Sequence, residues 1–114
     1  MATEPKDRNS EQQATKGPAF KPAHPGEILR EDVLPELDMP KATFAQHLGI
    51  SRNTLYKLLN EEQPVTLDIA LRLGRALGNG ARFWLALQMQ HDLWTAERGK
   101  PRVDVKPLNW KGVA

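Results

Sequence analysis

Large apolar side chains are almost absent before residue 20 and then recur at steps of three and four up to about residue 97, the spacing of amphipathic helices rather than of strands. Pro25 suits a first helical turn, where a missing N–H costs nothing, and Ile28, Leu29, Val33 and Leu37 share one face. Pro35 interrupts that face, so the first helix is expected from Pro25 to Leu34. A second runs from Pro40 to Leu48 with Phe44, Ala45 and Leu48 inward, and Gly49 ends it by supplying a left-handed backbone. Ser51 is placed to cap a third helix, Arg52 to Asn60, in which Leu55, Leu58 and Leu59 face inward. Thr66 caps a fourth that buries Ile69, Ala70, Leu73 and Leu77 and stops at Gly78. Asn79 is expected to cap the fifth, from Gly80 to Glu97, which carries Phe83, Trp84, Leu87, Leu93 and Trp94.

The pattern predicts an all-α domain of five helices over residues 24–98. Residues 1–23 are rich in Glu, Lys, Gln, Thr and Pro and bury too little to offset the entropy of ordering, so a disordered segment is expected there. Residues 99–114 alternate Val103 and Val105 before Pro107, which allows a short extended piece within a flexible tail.

The run KATFAQHLGISRNTLYKLLNE meets the steric demands of two helices crossing through a tight turn. Ala45 is small at the closest approach, Gly49 makes the turn, Ile50 fills the space beneath it, and Leu55 and Leu58 complete the joint core. The outward residues of the third helix are Arg52, Asn53, Tyr56 and Lys57, a set that suits a recognition helix in a DNA major groove. Arg52 has the paired donors that match guanine O6 and N7, and Asn53 the donor and acceptor that match adenine.

The helix-turn-helix, the flanking HPGEILREDVL and VTLDIALRLGRALGNGARFWLALQMQHDLW, and their order resemble the HigA family of antitoxins within the Cro/repressor-like group. The resemblance covers about residues 24–97 and implies a five-helix, dimeric protein that binds a palindromic operator, represses its own operon and neutralises a cognate RNA-cleaving toxin. By position it implies groove-reading residues at Arg52, Asn53, Thr54 and Lys57, with Lys41 near the phosphates; the cap Ser51 and the outward Tyr56 complete the expected DNA-binding set. Two departures from the family pattern stand out. Glu61 and Glu62 follow the recognition helix where relatives often carry a basic residue, and Pro40 replaces the usual capping Ser or Thr before the second helix.

Charge qualifies this picture. The whole chain carries +2, yet residues 24–98 hold eight Lys and Arg against ten Asp and Glu, so a groove-facing positive patch has to be local. With no cysteine, a disulfide framework, a thiol nucleophile and a thiolate zinc site are excluded. No apolar run is long enough to span a bilayer and the polar start lacks a secretory signal, so a cytoplasmic protein without membrane contact is expected.

On the fifth helix, Phe83, Leu87, Gln90 and Trp94, and likewise Trp84, Leu87, His91 and Trp94, make an apolar surface wider than one core-facing stripe. Two readings stay open. Either all of it packs on the first and fourth helices, or Trp84, Leu87, His91 and Trp94 form a homodimer contact, since a palindrome needs a twofold partner. His24, His47 and His91 are far apart in sequence and show no metal-binding spacing, so each is expected as a surface or packing residue. No nucleophile sits beside a base, and neither an enzyme activity nor a cofactor or metal is expected. A stand-alone regulator without a toxin, and a toxin inhibitor with weak DNA binding, remain the alternatives.

Overall fold

The computed structural model describes residues 20–99 and 103–112. The expected disorder of residues 1–23 lies almost wholly outside them. Five helices follow one another: α1 in three consecutive pieces, Pro25–Ile28, Leu29–Val33 and Leu34–Leu37, then α2 Lys41–Leu48, α3 Arg52–Leu59, α4 Leu67–Leu77 and α5 Ala81–Arg98. Among the described residues there is no strand, and residues 103–112 form neither helix nor strand.

Pro35 does not end the first helix. The middle piece is a π turn, in which the N–H of Leu34 reaches back five residues to the carbonyl of Leu29. Proline in a regular helix lacks a donor and drives its ring against the carbonyl four residues earlier. The wider turn relieves that conflict, and α1 continues to Leu37 before Asp38 closes it in a left-handed conformation.

The HPG segment opens α1 for a reason local spacing does not show. His24 caps the helix, its Nδ1 accepting from the N–H of Gly26 at 2.9 Å, and Pro25 takes the first turn. Gly26 lies so close to α3 that a Cβ there would collide with the carbonyl oxygen of Leu58. Glycine at 26 thus sets the distance between α1 and the recognition helix.

The core is one cluster fed by every helix: Leu29 and Leu34 from α1, Phe44, Ala45 and Leu48 from α2, Leu55, Leu58 and Leu59 from α3, Ile69, Ala70 and Leu73 from α4, and Trp84 from α5, with Val65 from the loop before α4. α4 packs along α5 after a tight reversal, where Gly74 leaves no room for a side chain against the backbone of Gly80 and Ala81. Thr66 caps α4 as expected, accepting from the N–H of Ile69 at 3.3 Å.

Two caps differ from expectation. The N-cap of α5 is Gly80, and Asn79 instead accepts from the indole N–H of Trp84 at 2.9 Å. Pro40 serves as the N-cap of α2 rather than as its first helical residue, giving its carbonyl to the N–H of Phe44.

Trp84 requires a larger correction. It is fully buried in the protomer's own core and so is not available to a partner. A helix with apolar residues around most of its circumference does not declare which side turns inward, and here the side of Trp84 and Gln88 does.

Candidate nucleic-acid interface

The turn between α2 and α3 rests on Gly49, whose φ of +76° is the left-handed region that glycine enters without steric cost. The N–H of Gly49 bonds the carbonyl of Gln46 and the N–H of Ile50 that of Ala45, each at 3.1 Å, closing α2 in a Schellman arrangement. Ser51 then starts α3. Its Oγ accepts from the N–H of Thr54 at 3.0 Å, and its hydroxyl donates to Thr54 Oγ1 at 2.8 Å. That arrangement leaves the hydroxyl proton of Thr54 free for an acceptor outside the protein.

Arg52 and Asn53, in the first turn of α3, are exposed, while Leu55, Leu58 and Leu59 anchor the opposite face in the core. Lys57 is exposed one turn further on. Lys41, from the start of α2, holds its Nζ over the ring of Tyr56 at 6.0 Å from the centroid. Of the expected set, Lys41 thus meets Tyr56 and Ser51 meets Thr54, while Ser51, Arg52, Asn53, Tyr56 and Lys57 are exposed and Thr54 is half-buried.

Two arginines that the sequence reading did not single out hold this pair in place. Arg72 of α4 donates through Nη1 to the carbonyls of Leu48 at 2.8 Å and Gly49 at 3.4 Å, while its Nε meets Asp68 at 2.9 Å. Arg30 of α1 donates to the carbonyl of Leu59 at 2.6 Å and lies 3.4 Å from Glu61 and 2.9 Å from Glu31. One guanidinium thus satisfies the end of α2 and the other the end of α3, where helix carbonyls lack partners and carry partial negative charge. Glu61, one of the two acids that follow the recognition helix, is paired with Arg30 and adopts a φ of +62°, with Glu62 N–H bonded to the Lys57 carbonyl at 2.8 Å. Glu62 remains exposed.

On the far side, Gln88 ties α5 to the loop before α4. Its Oε1 accepts from the N–H of Val65 at 2.7 Å and its Nε2 donates to Asp92 at 3.0 Å. His24 and His91, distant in sequence, meet edge to face with ring centroids 5.0 Å apart, and His91 Nδ1 is 3.5 Å from Asp92. Burial, reinforced by His91, holds the His24 imidazole below its ordinary pKa, against weaker opposing pulls from Glu61, Asp92 and a hydrogen bond to the backbone of Gln63. Among the residues expected at a dimer contact, Leu87 packs partly on the core, and His91 and Trp94 are half-buried, with the Arg98 guanidinium 4.6 Å from the Trp94 ring centroid. The large apolar side chains left open on α5 are instead Phe83, Met89 and Leu93. Among the described residues no cluster of His, Cys, Asp or Glu has the makings of a metal site.

This fold and this face define a DNA-binding helix-turn-helix domain, and the helix-turn-helix family pattern matches residues 29–84. Antitoxin HigA-1 of Vibrio cholerae is 36% identical over 90 residues, which are 77% of this chain and 85% of the relative. The HTH-type transcriptional regulator YbaQ of Escherichia coli is 36% identical over 77 residues, 68% of each chain. The solved structure of Pseudomonas aeruginosa antitoxin HigA with the higBA promoter superposes with a TM-score of 0.64 at 35% identity, covering 73% of this chain and all of that one. The chain belongs to the HigA family of helix-turn-helix antitoxins, which are DNA-binding proteins and not enzymes. No helix among the described residues is long and apolar enough to cross a membrane.

Proposed function

We propose that this protein is the antitoxin of a type II toxin–antitoxin module, a cytoplasmic homodimer that represses its own operon and neutralises a cognate RNA-cleaving toxin by binding it. The observation that carries the DNA half is the first turn of α3, whose Arg52, Asn53 and Thr54 are presented outward by the Ser51 cap and braced by Arg72 and Arg30. Arg52 reads guanine through two donors, Asn53 reads adenine, and Lys41, Tyr56 and Lys57 meet phosphates on either side. A domain with a net acidic balance needs such a concentrated set, because its overall field does not hold it on a polyanion.

A palindromic operator places two recognition helices about 34 Å apart and requires a twofold partner. The open side chains of α5, Met89 and Leu93, flanked by Ala86, supply the apolar surface for that contact, with Trp94 at its margin. The toxin half is supported by the HigA relatives alone. Purifying the chain together with the product of its neighbouring gene, and titrating the pair against a duplex from the shared promoter, tests both halves. Co-elution with promoter binding is the expected result. Promoter binding without any co-eluting partner would reduce the protein to a stand-alone regulator.

A further inference from the structure

The segment after α5 carries apolar side chains that its own protomer leaves uncovered. Val103, Val105, Leu108 and Trp110 are 62 to 83% exposed, although a soluble chain gains by covering such groups. They are interleaved with Asp104, Lys106 and Asn109, and Lys111 follows. Gly99, the C-cap of α5, is extended, with φ −90° and ψ −169°.

Beside α5 lies an open cleft of about 940 Å³ whose apolar lining is Leu85, Met89, Leu93, Ala96 and Pro64. Glu61, Asp92, His24, His91, Gln88 and Thr95 complete the lining. We infer that this cleft receives the C-terminal segment of a second copy, Val103 to Trp110, so that the two subunits exchange arms. The inference rests on the proposed homodimer.

Three physical matches support it. Eight extended residues span roughly 26 Å, enough to line the roughly 16 Å of α5 between Leu85 and Ala96. The side chains of Val103, Val105, Leu108 and Trp110 fit an apolar wall, and Pro107 keeps the segment from folding into a helix of its own. Lys106 and Lys111 bring positive charge to a lining that includes the carboxylates of Glu61 and Asp92, each also held by a partner within the protomer. Met89 and Leu93 line the cleft and also stand open on α5, so the arm and the helix-to-helix contact share one continuous apolar surface.

A chain without native cysteine allows a direct test. Full-length Leu108→Cys protein is mixed with full-length Leu85→Cys or Ala96→Cys protein and treated with a short bis-maleimide, with Glu36→Cys as a distant control. Sedimentation of each mixture is recorded without the reagent. The expected result is a dimer that cross-links between the two different variants and not with the control. In addition, Leu108→Ser with Trp110→Ser should raise the dimer dissociation constant about tenfold or more. A dimer that fails to cross-link, or a Leu108→Cys, Ala96→Cys double variant that closes only within one chain, overturns arm exchange while leaving the dimer intact. A monomer at all concentrations overturns the dimer reading and the exchange together.

Discussion

Arg72 Nη1 donates to the carbonyl oxygen of Leu48 at 2.8 Å, across 24 residues of sequence, and so joins α4 to the turn that aims the recognition helix. The bond is part-buried, whereas the Arg72 pair with Asp68 is largely exposed. Arg72→Ala should therefore cost about 1 to 2 kcal/mol of stability, and Asp68→Ala a few tenths at most. Urea titrations of both variants check the contrast, and Arg72→Ala should also weaken operator binding although Arg72 faces the turn. Equal losses for the two variants would mean that the ion pair, not the carbonyl bond, sets the turn.

Arg52 and Lys57 should separate base reading from phosphate attraction. Arg52→Ala should lower operator affinity by about 1 to 3 kcal/mol and relax preference at one base position. Lys57→Ala should weaken specific and random duplexes alike and reduce the slope of log K against log salt by about one. Gel-shift titrations at several salt concentrations read both. Wild-type binding that is identical for operator and random DNA would overturn sequence-specific recognition.

Glu61 occupies a left-handed position, φ +62°, at the end of α3. That conformation costs an L-residue about 1 to 2 kcal/mol, partly offset in glycine by its greater freedom when unfolded. Glu61→Gly should accordingly be more stable than Glu61→Ala by about 1 kcal/mol, since both lose the Arg30 pair and only glycine relieves the backbone. Thermal melts of the two variants decide it, and both should bind DNA at least as tightly as the wild type.

His24 makes stability depend on pH. Its pKa is held below 6.5 in the folded chain, so the unfolded chain takes up the proton first as pH falls. Its contribution is fully present above pH 6.5 and is lost as pH drops from there through the folded-state value. Denaturation midpoints between pH 8 and pH 5 should fall more steeply for the wild type than for His24→Asn, which keeps a side-chain acceptor for Gly26. Parallel curves would remove His24 as the cause.

Trp84→Ala should destabilise the protomer by about 3 to 5 kcal/mol, because it empties a fully buried site and removes the bond to Asn79. Calorimetry combined with sedimentation should show a lowered melting temperature rather than a clean, folded monomer. A stable monomer would return Trp84 to the subunit interface.

The helices, their order and most of their caps were legible in the sequence because they depend on neighbours three or four residues away: Ser51 on Thr54, Thr66 on Ile69, Gly49 on its own φ. The outward set from Arg52 to Lys57 followed from the same periodicity. Tertiary structure alone decided which carbonyls Arg30 and Arg72 satisfy, that Gly26 sets the approach of α1 to α3, and that His24 meets His91. Those partners lie 23 to 67 residues apart. Only the packed core brings them together, and no local pattern encodes the meeting. The same holds for α5, where apolar residues on nearly every side left the inward face open until the fit of Trp84 and Gln88 against the rest of the domain chose it.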